Sequence, residues 1–435
     1  MSILQKSFSE KQKILLLSKI KEKDTNIPYS NYRWGSTVRK EGTYGYAVRK
    51  KKMNTGKFRT RQEIVKRFTH PKGKDYIIGL DAGYSAMKVF HENGYFCFPS
   101  FAKRLDSDLT ATDEKDIFYR DLDTGEMYIL GYTAQDMINS VDTNDTEGEL
   151  FSRKRYGNKK FRILCKAAIG IACMDKKDQR EIVIQTGLPS SFLEADAKLM
   201  ENALSAPSHF ELKLGHGEWR EFQFQIKKEN IYANMAQPAG AFYSSIIKED
   251  GTYTPDIKSF MFGNTLVIDI GFGTFDFYGL KNRALVCKES IDEIGMKQVL
   301  KSTSKKILSE YGEDIRVPAL QKCLETGKIT CVNEEEMRTE EHSIAPLLEK
   351  SNDEVFKAAM EQAKGITSAF RDYTKIIVAG GTGEAWFEKI KEYLSGMKTI
   401  TVLPGNRNDH LPFIYSNVRG YYMFQYMQQN KKKKG

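Results

Sequence analysis

From Tyr76 onward, short apolar runs alternate with longer stretches of helical period, which is the pattern of an α/β chain. The runs at 77–81, 87–91, 95–98, 127–130, 181–185, 231–234, 265–270, 284–287, 375–379 and 399–403 read as strands. Helices are predicted over 161–172, 240–248, 297–310, 354–370 and 383–394. The fourth of these is clearest, because Val355, Ala359, Ala363, Ile366 and Phe370 fall on one stripe. Before Tyr76 the pattern is different. One short amphipathic stretch (Ile14 to Leu17, then Ile20) precedes a polar segment dotted with Tyr29, Tyr32, Trp34, Tyr44 and Tyr46. No long period runs through it, so residues 1–74 read as a partly disordered extension ending at Lys72-Gly73-Lys74.

The α/β region contains a single pattern twice. Ile77-Ile78-Gly79-Leu80-Asp81-Ala82-Gly83 and Leu266-Val267-Ile268-Asp269-Ile270-Gly271-Phe272-Gly273-Thr274 each run from an apolar strand into Asp-x-Gly and a small-residue turn, then return as another strand. The two aspartates are 188 residues apart. Such an echo implies one structural unit used twice, hence two related lobes with a cleft between them.

Charge divides the chain again at the same place. The net +10 conceals a segment 1–74 with 20 Lys/Arg against 5 Asp/Glu, and a body 75–430 with 43 against 52. The basic character therefore sits at the ends, where Lys431 to Lys434 add to it. Two uses of the basic extension stand open: contact with DNA phosphates through Lys50-Lys51-Lys52, Arg59, Arg61, Lys66 and Arg67, or contact with the acidic body of its own or a neighbouring subunit. No apolar stretch near the start is long enough for a signal core or a membrane span, so a cytoplasmic protein without a membrane role is expected. The six cysteines form no Cys-x-x-Cys pair, which argues against zinc and redox chemistry.

A strand ending in Asp-x-Gly suits a phosphate-binding hairpin, since glycine lets consecutive backbone N–H groups approach an anion. The hydroxyls of Ser85 and Thr274 add donors, and Asp81 and Asp269 would face a shared Mg²⁺ through its waters. A third strand, Ile376-Ile377-Val378-Ala379, runs into Gly380-Gly381-Thr382-Gly383 and a helix, a turn that permits close ligand approach. No G-x-x-x-x-G-K-[ST] occurs, so a P-loop is excluded as the phosphate device.

In order and spacing these elements resemble the superfamily of actin, DnaK-type chaperones and sugar kinases, and most of all the ParM-type plasmid-segregation actins. Leu80 to Lys88 resembles the first phosphate motif, Gln237-Pro238-Ala239-Gly240-Ala241-Phe242-Tyr243 the connecting segment, Ile268 to Thr274 the second phosphate motif, and Val378 to Gly383 the adenosine motif. Gln185-Thr186-Gly187-Leu188-Pro189 and Ser416-Asn417-Val418-Arg419-Gly420-Tyr421 resemble stretches found on the ParM side.

The resemblance implies two actin-like (RNase H-like) lobes closing on a nucleotide. Lobe I would span 75–254 and be completed by 400–435, and lobe II would span 255–399, each on a five-stranded sheet. It implies a Mg²⁺-dependent ATPase or GTPase that forms filaments with copies of itself and segregates plasmid DNA through a DNA-binding adaptor. A non-polymerising, kinase-like nucleotidase acting on a small molecule is the alternative.

The expected catalytic residues are Gln237, as the orienter of water, with Asp81 and Asp269 as metal-facing carboxylates. Nucleotide contacts are expected from Gly83, Tyr84, Ser85, Lys88, Gly271, Phe272, Gly273, Thr274, Gly380, Gly381, Thr382 and Gly383. Asp276 is expected to support the second hairpin, and Lys305 and Lys306 to lie near the nucleoside.

Overall fold

The computed structural model describes residues 53–107, 109–137, 153–333 and 335–431. In chain order the first strands are β1 (Glu63–Lys66), β2 (Tyr76–Ala82), β3 (Ala86–His91), β4 (Gly94–Pro99), β5 (Ala102–Leu105), β6 (Ile117–Asp121), β7 (Met127–Leu130), β8 (Ile182–Leu188), β9 (Ser208–Leu214), β10 (Arg220–Phe224) and β11 (Ile231–Ala236). They build two sheets, ordered β1-β4-β3-β2-β8-β11 and β10-β9-β6-β7-β5. Helices α1 (Tyr132–Asp136), α2 (Lys159–Cys173), α3 (Leu193–Ser205) and α4 (Gln237–Ile246) belong to this half of the chain. Its core packs the buried face of α2 against β2, β3, β4 and β9.

The rest of the chain carries β12 (Asn264–Ile270), β13 (Thr274–Lys281), β14 (Ala284–Asp292), β15 (Lys328–Asn333), β16 (Arg338–Ser343), β17 (Lys375–Ala379) and β18 (Thr401–Pro404). Its main sheet runs β14-β13-β12-β17-β18, and β15 and β16 form a separate hairpin. The helices are α5 (Ile257–Met261), α6 (Met296–Tyr311), α7 (Val317–Thr326), α8 (Ala345–Ile366), α9 (Gly381–Tyr393) and α10 (Ser416–Lys431). Among the described residues no helix is long and apolar enough to cross a membrane.

The two halves repeat one arrangement: an antiparallel three-strand meander extended by parallel strands, β4-β3-β2-β8 in one and β14-β13-β12-β17 in the other. Helices α4 and α10 pack between them. Their apolar side chains meet Ile77 and Phe90 of the first sheet and Val267, Ile377 and Ala379 of the second in one buried cluster. The strands of the central sheets are apolar on both faces because helices cover both.

Three expectations change. The folded body begins before residue 75: β1 pairs antiparallel with β4, giving the first sheet a sixth strand where five were expected. A four-residue edge strand has too few positions for a visible period, and its partner supplies the order. The chain returns to lobe I later than residue 400, since β18 is an edge strand of the lobe II sheet. The helix expected over 354–370 is α8, which starts at Ala345 with a proline in its first turn and buries Leu347, Leu348 and Ser351 there. It stops at Ile366 because Ser368, Ala369 and Phe370 take positive φ, while Thr367 Oγ1 donates to the Ala363 carbonyl at 2.7 Å. Phe370 keeps its place in the core from that turn.

Of the basic extension, Arg61, Lys66 and Arg67 pair with Glu63 at 3.5 Å, Asp175 at 3.0 Å and Glu249 at 2.5 Å. Arg59 pairs with Glu325 and Asp136. These four cations meet acids of their own chain. Tyr29 to Tyr46 and Lys50-Lys51-Lys52 lie outside the described residues.

Candidate functional site

The two Asp-x-Gly turns have the same local construction. In the first, Gly83 N–H donates to the Ala86 carbonyl at 3.0 Å, and in the second Gly271 N–H donates to the Thr274 carbonyl at 2.9 Å. The strands on either side place Asp81 opposite Lys88 and Asp269 opposite Asp276. The same position therefore carries a cation in one hairpin and an acid in the other. The turns face each other, and a Cβ built on Gly273 would touch the Tyr84 ring at 3.3 Å.

Between them lies a cavity lined by Asp81, Gly83, Tyr84, Ser85, Lys88, Gln237, Asp269, Gly271, Phe272, Gly273, Thr274 and Gly380. These are twelve of the fifteen residues expected from sequence. Gly381 and Thr382 open α9 and line an adjoining space. Thr382 is buried and acts as a joint, with its hydroxyl donating to the Gly271 carbonyl at 2.6 Å and accepting from Met296 N–H at 3.2 Å. Gly383 lines neither space and packs under Val378 and Ile270. Lys305 and Lys306 also line neither, and Lys306 pairs with Glu354 at 2.6 Å.

Gln237 is the first residue of α4, followed by Pro238 in its first turn. Its Nε2 donates to Asp81 Oδ1 at 2.9 Å, while Lys88 Nζ donates to Asp81 Oδ2 at 2.9 Å. Burial lowers the Lys88 pKa, yet the Asp81 carboxylate overcomes that and holds it above the usual lysine range.

Asp269 is in the opposite condition. Burial first, and the Asp276 charge second, push its pKa up to about 7, against the Nδ2–H of Asn417 that donates to Oδ2 at 2.6 Å. Asp276 is raised by burial to about 6 and sits behind the turn, accepting from Ser190 N–H at 2.8 Å and from the Ser290 hydroxyl. The second hairpin is thus braced through Asp276. Gly380 is required by its backbone: φ is +83° and the neighbouring Ile270 carbonyl leaves no room for a Cβ.

Four more residues line the cavity: Arg155, Pro189, Ile414 and Asn417. The guanidinium of Arg155 lies 4.4 Å from the Tyr84 ring centroid, holding that turn residue from behind. Pro189 and Asn417 fall inside the two stretches already singled out by resemblance, although with no role attached. Arg155 carries no local signal.

Glycine turns, a lysine and paired carboxylates in one place can bind an anion with cation support. Two glycine turns border a common space, with one lysine and two carboxylates on its walls. Among the described residues no three His, Cys, Asp or Glu side chains cluster to hold a metal by themselves. Two carboxylates plus ligand phosphates is the usual way a protein holds Mg²⁺.

Residues 79–240 match the family model described as the actin like proteins N terminal domain. Comparison with curated proteins finds no match. Among solved structures, ParM from a 15-stranded filament of Clostridium botulinum is 20% identical with a TM-score of 0.60, over 81% of this chain and 99% of its own. The apo psk41 ParM protein is 20% identical with a TM-score of 0.55, over 82% and 99%. An archaeal actin homologue in complex with ADP is 18% identical with a TM-score of 0.53, over 83% and 100%. The chain has the actin-like fold.

Proposed function

We propose, from the actin-like fold and the resemblance to ParM-type proteins, that the chain binds a Mg-nucleotide between its two hairpins, hydrolyses it, and polymerises in step with nucleotide state. The observation that carries this reading is the pair of like-built turns facing one cavity, with Asp81, Lys88, Gln237 and Asp269 on its walls.

Phosphate oxygens would accept from the turn N–H groups and from Lys88 Nζ, drawn partly away from Asp81. A carboxylate can only accept, so Asp81 fixes the Gln237 amide with its nitrogen inward and leaves Oε1 to accept from a water. That amide orients the water without acting as a strong base. Asp81 and Asp269 are the residues that would hold Mg²⁺ through its waters; bound there, the ion neutralises charge on the transferring phosphoryl group. The buried Asp269 fits this role, because an acid pushed up to about 7 regains its charge when a cation arrives.

Helices α4 and α10 lie between the lobes, so the nucleotide's grip on both hairpins sets the angle between them and the surface offered to the next subunit. Filaments of this kind would move plasmid DNA through an adaptor, as the ParM resemblance suggests.

Light scattering of the purified chain with Mg-ATP, Mg-GTP and no nucleotide, followed by pelleting and phosphate release, tests the reading. A nucleotide-dependent rise that decays as phosphate appears is expected. Saturable nucleotide binding by a chain that stays monomeric throughout would favour the kinase-like alternative.

A further inference from the structure

Residues 55–66 cross from one lobe to the other. On the lobe II side, Thr55 Oγ1 donates to the Leu324 carbonyl at 2.6 Å and Thr60 N–H to Gln321 Oε1 at 3.0 Å, both on α7. On the lobe I side, the Tyr132 hydroxyl donates to the Thr60 carbonyl at 2.6 Å. Gln62, which is buried, donates from Nε2 to the Lys115 carbonyl at 2.5 Å and accepts from Tyr132 N–H at 2.7 Å. Arg59 holds both lobes at once: it pairs with Glu325 of α7 and with Asp136 of α1 at 3.6 Å, its guanidinium 4.1 Å from the Tyr132 ring centroid. Strand β1 then fixes the segment to β4.

The inner side of this segment bounds a space. Lys57 to Arg61 form one wall of a second cavity whose other walls include Met296, Gly381, Thr382 and Glu384. Ser85, Lys88, Gly271, Phe272 and Ile414 line both this cavity and the one between the hairpins, so the two adjoin. A nucleotide held by its phosphates at the hairpins must send its nucleoside somewhere, and this is the adjoining room. Its walls suit that half of the ligand. Phe58, Met296 and Ile414 offer apolar contact to a flat base, Glu384 can accept from hydroxyl or amino groups, and Lys57 and Arg61 bring positive charge to a ligand of net negative charge.

We propose that residues 55–62 are a clasp that forms the outer wall of the nucleotide site and ties the lobes across it. The inference rests on the nucleotide-binding reading above and assigns one wall of that site to a segment lying before the first phosphate hairpin. With the clasp in place a bound nucleoside is covered, and its release requires the ties to one lobe to break. Arg59, Thr60 and Gln62 are positioning residues here, since they hold the wall through α1 and α7.

The test uses the full chain and a fluorescent ATP analogue with Mg²⁺, measuring equilibrium binding and stopped-flow dissociation for the wild type, Arg59→Ala, Gln62→Ala and the double variant. Circular dichroism and the unfolding midpoint check the fold. Loss of a charged tie should speed dissociation about tenfold, with the association rate at least as fast as in the wild type. In the wild type, the amides of 55–62 should gain hydrogen-exchange protection when the analogue binds.

Wild-type dissociation rates in folded variants, or no gain in protection, would overturn the clasp while leaving nucleotide binding intact. Tighter binding by the variants would overturn it in another way, by showing the segment to be an occupant that the nucleotide must displace. A wild-type chain that binds no analogue would overturn both readings together.

Discussion

At the residue scale the site is an imbalance of charge. Asp81 has a lysine opposite it and a glutamine amide above it, whereas Asp269 faces Asp276 and is relieved by Asn417 and by the charge of Lys88. The acids of the second hairpin are therefore held toward their protonated forms, with pKa values near 7 for Asp269 and near 6 for Asp276, chiefly by burial. A folded pKa above the unfolded value means that stability is fully present below the ordinary carboxylate range and is lost as pH rises through the folded value. The unliganded chain should lose up to about 1.4 kcal/mol per pH unit for each such group between roughly pH 4 and 7.

Thermal unfolding of the wild type and Asp269→Asn across pH 5 to 8 checks this, and the variant should lose some of the slope. Stability that stays flat with pH would mean the acids are neutralised in some other way. Asp269→Ala should keep the fold and abolish hydrolysis, measured by phosphate release beside circular dichroism. Gln237→Ala should slow hydrolysis about 100-fold, as expected for a misplaced water, while nucleotide affinity changes little. An equal loss of affinity would assign Gln237 to binding.

The elements position these residues through one close crossing. Helix α4 starts at Gln237 and α10 carries Asn417, so the pair delivers a polar side chain to each hairpin. Their contact is made possible by glycine. A Cβ on Gly420 would run into the Gly240 carbonyl, and one on Gly240 would come within 2.7 Å of the Asn417 carbonyl oxygen. Gly420→Ala should therefore push the helices apart and cost about 1–3 kcal/mol or more, the usual range for overpacking. Denaturant unfolding measures that cost. Activity per folded molecule should fall as well, since Asn417 moves with α10. A stable Gly420→Ala protein with normal hydrolysis would show that the helices relax without disturbing the hairpins.

At the scale of the whole molecule, a nucleotide gripped by both hairpins would add a further tie between halves already joined by residues 55–62. The hairpins belong to different sheets, so a nucleotide bound to both should stabilise the closed arrangement. By mass action, Mg-nucleotide at 100 times its Kd adds about 2.7 kcal/mol to unfolding stability. The unfolding midpoint should rise with Mg-ATP or Mg-GTP in the wild type, and far less in Asp269→Ala. An identical rise in both proteins would place the nucleotide elsewhere.

The amino-acid sequence alone determined the elements whose order is local: the two Asp-x-Gly hairpins, the Gly380-Gly381 turn and the apolar strands feeding them, because glycine placement and side-chain period act over a few residues. From these the two-lobed fold and most of the cavity wall could be read. Tertiary structure alone decided what depends on residues distant in the chain. Arg155 joins the cavity through the rings of Tyr84, Tyr156 and Phe161, and Asn417 because α10 packs beside α4. The pKa of Asp269 follows from burial and from a neighbour on the next strand. Residues 55–66, with their short β1 and their ties to α1 and α7, show no period in sequence because their order comes from the surfaces of both lobes, which exist only once the body has folded.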